Sequence, residues 1–266
     1  MQYIYNEDSE YTNSDSHGIP AVTRKLVNSH NPSRLIPDKI LAPLVKDFVA
    51  RPRLIRLLDN SMSKFGATLL LGRAGTGKTT LAAHYAGKYE QAAWFNVDSA
   101  DVEWAAFFRY FRASFKDPLL MQETEQSRDF PKPIAYSVET FFSRLSVLDS
   151  GQPRLIVLDN VHNIFDADWF GAFFFSLIHS LMPNMHLLLL TRCKPPTPLW
   201  RLRSKQRLGV IDERKLAFND SETQILFEKL GLSSGEAESA QNSSFGRISK
   251  LREFAAALSI EERVSI

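Results

Sequence analysis

Eight residues constrain this 266-residue chain more than any others: Gly72-Arg73-Ala74-Gly75-Thr76-Gly77-Lys78-Thr79. They fit the pattern G-x-x-x-x-G-K-[ST] without a mismatch. Glycines at such positions let backbone N–H groups turn inward around a phosphate without Cβ clashes. The loop needs a strand before it and a helix after it, and both patterns are present. Ala67-Thr-Leu-Leu-Leu71 reads as a strand, and Thr79-Thr80-Leu-Ala-Ala-His-Tyr-Ala86 reads as a helix. The helix N-terminus adds the positive end of its dipole. Lys78 can then reach the β- and γ-phosphates of a nucleotide, and the Thr79 hydroxyl can ligate Mg²⁺. Gly72 through Thr80 is therefore the candidate nucleotide-binding set, with ATP or ADP and Mg²⁺ as its ligands.

Four more strand-like runs follow: Ala92-Ala-Trp-Phe-Asn-Val97, Arg154-Leu-Ile-Val-Leu158, His186-Leu-Leu-Leu-Leu-Thr191 and a weaker Leu208-Gly-Val-Ile211. The runs at 154 and 186 are continuously apolar, as strands buried on both faces are. Between the runs, Trp104, Phe107, Phe108, Phe111 and Phe115 recur at helical spacing. So do Trp169, Phe170, Phe173, Phe174, Leu177, Ile178 and Leu181. Both stripes read as core packed on the sheet. Upstream, Pro52 suits the first turn of a short helix over 52–63. Strands alternating with helices predict an α/β fold, a P-loop NTPase three-layer αβα sandwich with a mainly parallel five-stranded sheet.

The predicted organisation has three parts. Residues 1–33 are polar and acidic and read as a mobile tail. Residues 34–215 form the nucleotide-binding domain, within which 116–133, with Pro118, Pro131 and Pro133, reads as a surface loop. Residues 216–266 form a small helical lid. Asn219-Asp-Ser-Glu222 has the signature of a capped helix start. Two or three short helices then fill 220–260, with Gly231 and Gly235 as breaks.

The partner of the phosphate loop is Leu155-Ile-Val-Leu-Asp159, a buried strand ending in a carboxylate. Asp159 is placed to hold the Mg²⁺ hydration shell, so Thr79 and Asp159 are the candidate metal residues. The next residue is Asn160. An amide can orient an attacking water but cannot take its proton, which predicts slow hydrolysis unless the base lies elsewhere or positioning and charge suffice without one. Thr191-Arg192 ends the fourth strand, at the carboxyl edge where ligands collect, so Arg192 is a candidate γ-phosphate sensor. Lys78, Asp159, Asn160 and Arg192 make up the candidate catalytic set. His162, three residues past Asp159, reads as structural.

Lys and Arg number 32 against 30 Asp and Glu, a net charge of +2. That balance is not the charge of a nucleic-acid coat. Eight Lys or Arg do gather between Arg192 and Lys215, interrupted by Pro195, Pro196 and Pro198. This basic loop reads as a solvated or partner-facing surface rather than a sequence-specific DNA reader. Cys193 is the single cysteine, so no intrachain disulfide or zinc knuckle can form, and a reducing compartment is expected. The most apolar run, Phe170 to Ile178, is far shorter than the ~20 residues that span a bilayer. Residues 1–18 carry four acids and no Lys or Arg, unlike a signal peptide. A cytoplasmic protein without membrane contact is expected.

In order, these pieces resemble the nucleotide-binding part of the STAND ATPases, and within them the MalT-like branch of large LuxR-type transcriptional activators. The resemblance runs from about Arg34 to Leu258. It is carried by Val49-Ala-Arg51-Pro-Arg-Leu-Ile-Arg-Leu-Leu58, Ala93-Trp-Phe-Asn-Val-Asp98, Leu158-Asp-Asn-Val-His162, Leu190-Thr-Arg192 with Pro195-Pro196, Leu199-Trp-Arg-Leu-Arg203 and Leu216-Ala-Phe218 with Glu222. It implies that Lys78, Thr79, Asp159 and Arg192 are nucleotide and Mg²⁺ residues and that Arg51 lies near the nucleotide. Two departures stand out. Asn160 occupies the place of the family's second acid, and the chain stops at Ile266 without the family's winged-helix, superhelical and helix-turn-helix parts. The resemblance therefore implies an ATP-binding signalling switch, truncated or stand-alone, that regulates transcription with or within a larger regulator. Protein partners or self-association would use the lid or the basic loop. The alternatives are a turning-over ATPase acting on nucleic acid and a non-hydrolysing adaptor.

Overall fold

The computed structural model describes residues 35–45, 48–121 and 133–264. The predicted tail over 1–33 and the middle of the predicted loop 116–133 lie outside them. Five strands form one sheet: β1 (Ala67–Leu71), β2 (Gln91–Asn96), β3 (Arg154–Asp159), β4 (Met185–Thr191) and β5 (Leu208–Ile211). Their order is β2-β3-β4-β1-β5, and every neighbouring pair is parallel. The strands read from sequence thus all appear, each within one residue at either end.

Strand alternation divides the core into two layers. On one face, Leu70, Leu155, Val157, Leu188 and Leu190 meet Leu54 and Leu58 of α1 (Pro52–Met62) and Leu81 and Tyr85 of α2 (Lys78–Ala86). Trp94 shares that layer, so its neighbour Phe95 points to the other face. There it meets α3 (Trp104–Ala113), with ring centroids 5.3 Å from Phe107. Phe107 and Phe111 in turn touch Phe173 of α6 (Phe170–Ser180), at 4.9 and 5.4 Å. Phe107, Phe111, Phe173 and Phe174 are all fully buried. Each contributes roughly 1.5–3 kcal/mol by leaving water. Both aromatic stripes are core, as their spacing predicts.

Most differences from the sequence reading fall where proline was taken as a loop signal. Pro118 opens a single helical turn, α4 (Pro118–Met121), and Pro133 stands at the cap of a long helix, α5 (Ile134–Leu148). The apolar residues of α5, Val138, Phe141, Phe142 and Leu145, have a helical period and are buried. The basic segment 192–215 is not a loop either. It contains α7 (Thr197–Ser204), with Pro198 in the first turn, and α8 (Glu213–Leu216). In a first turn proline loses no hydrogen bond, so it starts a helix rather than breaking one.

After α8 come three helices: α9 (Asp220–Lys229), α10 (Ser234–Ser244) and α11 (Ile248–Val264). Asn219 and Glu222 form the predicted capping box at α9. Gly231, at φ 76°, turns the chain between α9 and α10, but Gly235 sits inside α10 behind a second capping box, Ser233 with Glu236. The three helices bury Phe227, Leu251, Ala240 and Leu226 among themselves, joined by Val49 and Phe218. From Ile36 onward the chain forms one compact unit. Among the described residues no helix is long and apolar enough to cross a membrane.

Candidate nucleotide site

The loop after β1 is held open from within. Gly75 and Gly77 have φ of 73° and 82°, a region where a Cβ is strained. The Gly72 N–H donates to the Thr191 carbonyl at 3.2 Å, which ties the loop to β4. The Thr76 hydroxyl donates to the Arg73 carbonyl at 2.9 Å. Lys78 is 7% exposed, and its Nζ donates to the carbonyls of Gly72 and Arg73 at 2.5 and 2.9 Å. Burial holds its pKa below the usual lysine range, against the pull of Asp159. A cation stripped of water in this way gains from an anionic ligand.

Asp159 ends β3, on the strand beside β4. Its Oδ2 accepts from the Thr79 hydroxyl at 2.8 Å, and its Oδ1 accepts from the Asn160 N–H at 2.8 Å. Burial raises its pKa, opposed by those two hydrogen bonds and by Lys78 and Arg192. The donor set is a hydroxyl and a carboxylate, hard oxygens that suit Mg²⁺. No cluster of three or more His, Cys, Asp or Glu among the described residues could hold a metal unaided. Mg²⁺ here would take Thr79 and Asp159 and complete its shell with phosphate oxygens and water, its usual habit.

Asn160 follows in the left-handed region, at φ 56°. Its Nδ2 donates to the Asn96 side-chain oxygen at 2.9 Å. Asn96 ends β2, in register with Asp159. The pair leaves the Asn160 side-chain carbonyl oxygen without a partner among the described residues, able to accept from a water but not to deprotonate it. Arg192 is the first residue past β4 rather than its last, and it lines the same cavity as Asn160. Burial lowers the pKa of His162, and Arg192 and Lys78 lower it further.

The cavity is about 390 Å³ and brings together Ala74, Gly75, Gly77, Lys78, Thr79, Thr80, Arg51, Asn160 and Arg192. That volume falls in the range of small-ligand sites. Gly72 and Thr76 build the loop without lining the cavity. The Arg73 side chain turns away to Glu213, with Nη2 to Oε1 at 2.9 Å. Part of the wall comes from residues the sequence reading did not single out, including Phe48, Leu226, Ile248 and Ser249. The start of α11 rests directly on the phosphate loop. The Ser249 N–H donates to the Gly75 carbonyl at 3.1 Å, and Arg247 Nη2 donates to the Ala74 carbonyl at 2.8 Å. A Cβ on Gly75 would fall 2.6 Å from the Ser249 Cβ.

Arg51 closes the other side. It is 4% exposed, and burial lowers its pKa against the opposing pull of Glu222. Its Nη2 donates to the carbonyls of Leu216 and Ala217 at 2.8 Å each, and its Nε donates to Glu222 Oε2 at 3.1 Å. Its guanidinium lies 4.0 Å from the Phe218 ring centroid. Arg53 Nη2 reaches the same Glu222 oxygen at 3.0 Å. Glu222 was legible as a cap residue but not as an ion-pair partner. Asn96 and Ser249 carry no sequence signal of their own.

A parallel sheet of this order, a glycine loop from β1 into α2, and a carboxylate ending β3 define a P-loop NTPase domain. No family model matches the chain. Over 197 residues, 73% of this chain, it is 29% identical to the HTH-type transcriptional regulator MalT of Yersinia enterocolitica. It is 28% identical over 200 residues to MalT of Serratia proteamaculans. The match spans 22% of the length of each of these relatives. The resemblance to MalT-type regulators read from the motifs is borne out. Among solved structures, a Walker-type ATPase of Pyrococcus abyssi aligns with a TM-score of 0.44 and 14% identity, covering 82% of this chain and 75% of that one. The replication initiator DnaA, bound to AMPPCP and single-stranded DNA, aligns with a TM-score of 0.48 and 11% identity over 80% and 63%.

Proposed function

We propose that this chain is the nucleotide-operated switch of a MalT-like transcription regulator, binding ATP or ADP with Mg²⁺ and hydrolysing ATP slowly. The observation that supports it most is the shared wall. One cavity is bounded by the phosphate loop and by α11, and the loop carbonyls of Ala74 and Gly75 hold Arg247 and Ser249. A ligand that moves the loop moves the helix, so ATP and ADP can favour different positions of α9–α11, which act as the lid. Lys78 neutralises phosphate charge, Thr79 and Asp159 hold the metal, and Arg192 senses the γ-phosphate. Mg²⁺, when bound, supplies further neutralisation of the phosphates. Asn160 orients water without accepting its proton, which keeps the ATP state long-lived.

The test is nucleotide content by chromatography of the protein purified with and without Mg²⁺, followed by hydrogen exchange with ATP and with ADP. Bound nucleotide, and a difference in α11 protection between the two, is the expected result. A nucleotide-free protein whose α11 ignores both ligands refutes the switch and favours an adaptor. The eight basic residues between Arg192 and Lys215 favour a second reading, an ATPase acting on nucleic acid. DNA-stimulated steady turnover would establish that one instead.

A further inference from the structure

A second cavity, of about 660 Å³, shares no residue with the one at Lys78 and is lined by residues of α5, α6 and α7. Its apolar wall is Ala135, Ala172 and Pro198, open or partly open to solvent, over the buried Phe174, Ile178 and Leu202. Beside them Phe175 is 57% exposed. Ser176 also lines the groove; it is 5% exposed, and its hydroxyl has no hydrogen-bond partner among the described residues. The charged part of the lining is basic. Arg201, Lys205 and Arg207 come from α7 and the turn after it, with His179 from α6. No acidic residue lines the groove, and none of Arg201, Lys205 and Arg207 has an ion-pair partner among the described residues.

Two costs are thus left open at one place: apolar surface in water and like charges without counter-charge. One class of ligand relieves both. It carries bulky apolar side chains on one face and carboxylates along that face's edge. A nucleic-acid backbone would satisfy the cations but not the apolar wall. The His179 ring tilts against Phe175 at 4.3 Å and its Nδ1 is bonded to the Phe175 carbonyl at 2.7 Å, which leaves one face of Phe175 for a ligand. We propose that this groove docks an acidic amphipathic helix of a partner protein. Its apolar residues, spaced i, i+3 and i+4, sit on Ala172, Phe175 and Pro198. Its Asp and Glu flank meets Arg201, Lys205 and Arg207, and a polar side chain at its centre satisfies Ser176. Because the groove shares no residue with the nucleotide cavity, the proposal stands whether or not the switch reading does.

The test uses the full chain, immobilised, and a displayed library of random peptides long enough for about four helical turns, roughly 14 residues. Selection should enrich peptides with net negative charge and an apolar i, i+3/i+4 period. Two variants read the site. Arg201→Glu with Lys205→Glu should weaken the enriched peptides at least ~10-fold in fluorescence anisotropy, and Phe175→Ser several-fold. Lys194→Glu with Arg203→Glu makes the same charge change outside the groove and should leave affinity within about twofold. All these side chains are exposed, and circular dichroism of each variant checks the fold. No enrichment, enrichment without negative charge or helical period, or equal losses for both charge pairs overturns the proposal. So does displacement of the peptides by a single-stranded oligonucleotide of equal charge, which would make the groove a nucleic-acid site. Sedimentation showing a dimer that the groove variants dissolve would assign it to a second copy of this chain.

Discussion

Arg51 is the residue whose loss should be felt farthest from its own position in sequence. It precedes α1, yet the polar partners of its side chain among the described residues lie at the start of the C-terminal helices: Leu216, Ala217 and Glu222. Replacing it by Met keeps the apolar stem over Phe218 and removes the charge. Breaking a buried ion pair costs about 3–5 kcal/mol, because the remaining charge is left uncompensated. Here Arg53 still sits 3.0 Å from the Glu222 carboxylate, which lowers the penalty. The Leu216 carbonyl then loses its donor, at about 1 kcal/mol, whereas the Ala217 carbonyl keeps Arg53 Nη2 at 2.8 Å. The expected cost is about 3 kcal/mol, concentrated on α9–α11. At 1.4 kcal/mol per decade, that is roughly a 150-fold rise in local opening. Hydrogen exchange should show it as lost protection in α9 and α10 while β1, β3 and β4 stay protected. Arg51→Lys restores the charge without the planar fork and should recover about half of the loss. Protection unchanged to within ~0.5 kcal/mol in Arg51→Met would show that this network clamps nothing. Equal behaviour of Lys and Met would show that the charge plays no part in holding the helices.

Three further outcomes are expected. Lys78→Ala should weaken ATP binding by at least ~2 kcal/mol in calorimetry, since a charge-assisted contact disappears from a partly desolvated site. Asn160→Asp should speed single-turnover hydrolysis with saturating Mg²⁺ at least ~10-fold while ATP affinity stays within about threefold, as a positioned base contributes ~10²–10⁴-fold. Equal rates at matched occupancy would mean that another residue positions the water. Finally, His186 bonds the Thr68 hydroxyl at 2.8 Å, and burial pushes its pKa down to about 4, only partly offset by a hydrogen bond to the Phe65 backbone. The neutral ring is the stable form in the fold. Its contribution is complete above the unfolded value of about 6.5 and is lost as pH falls towards 4. Urea titrations should show about 2 kcal/mol of this loss by pH 5, and His186→Phe should flatten the curve between pH 6.5 and 5.

The sheet and the phosphate loop were legible because one local pattern determines each. A run such as His186–Thr191 has no polar face to offer water, so it can only be a central strand. The Gly72–Thr79 spacing places Lys78 and Thr79 at the start of a helix, whatever else the chain does. What escaped was set by contacts between segments far apart in sequence. Ser249 on Gly75, Arg51 on Ala217 and Asn96 on Asn160 join residues 174, 166 and 64 positions apart. No periodicity records such pairs. The missed helices have a different cause. Pro133 and Pro198 are breakers inside a helix and starters at its first turn, and their position in the turn was the unknown.

The strand order also sets a timetable for synthesis. β1 is flanked by β4 and β5, and its first residue, Ala67, pairs with Leu187 and Leu208. At ~5–20 residues per second, the ribosome takes roughly 6–24 s to travel from Ala67 to Leu187. Throughout that interval the apolar run that carries the phosphate loop has no neighbouring strand. β2 and β3, which pair with each other, can join first and wait as a two-stranded ribbon. The glycine loop takes its shape only when β4 arrives, because the Thr191 carbonyl that holds Gly72 comes with it. Nucleotide capture therefore waits for Thr191, and a chain interrupted before it would offer an unpaired Ala67–Leu71 to chaperones or to aggregation.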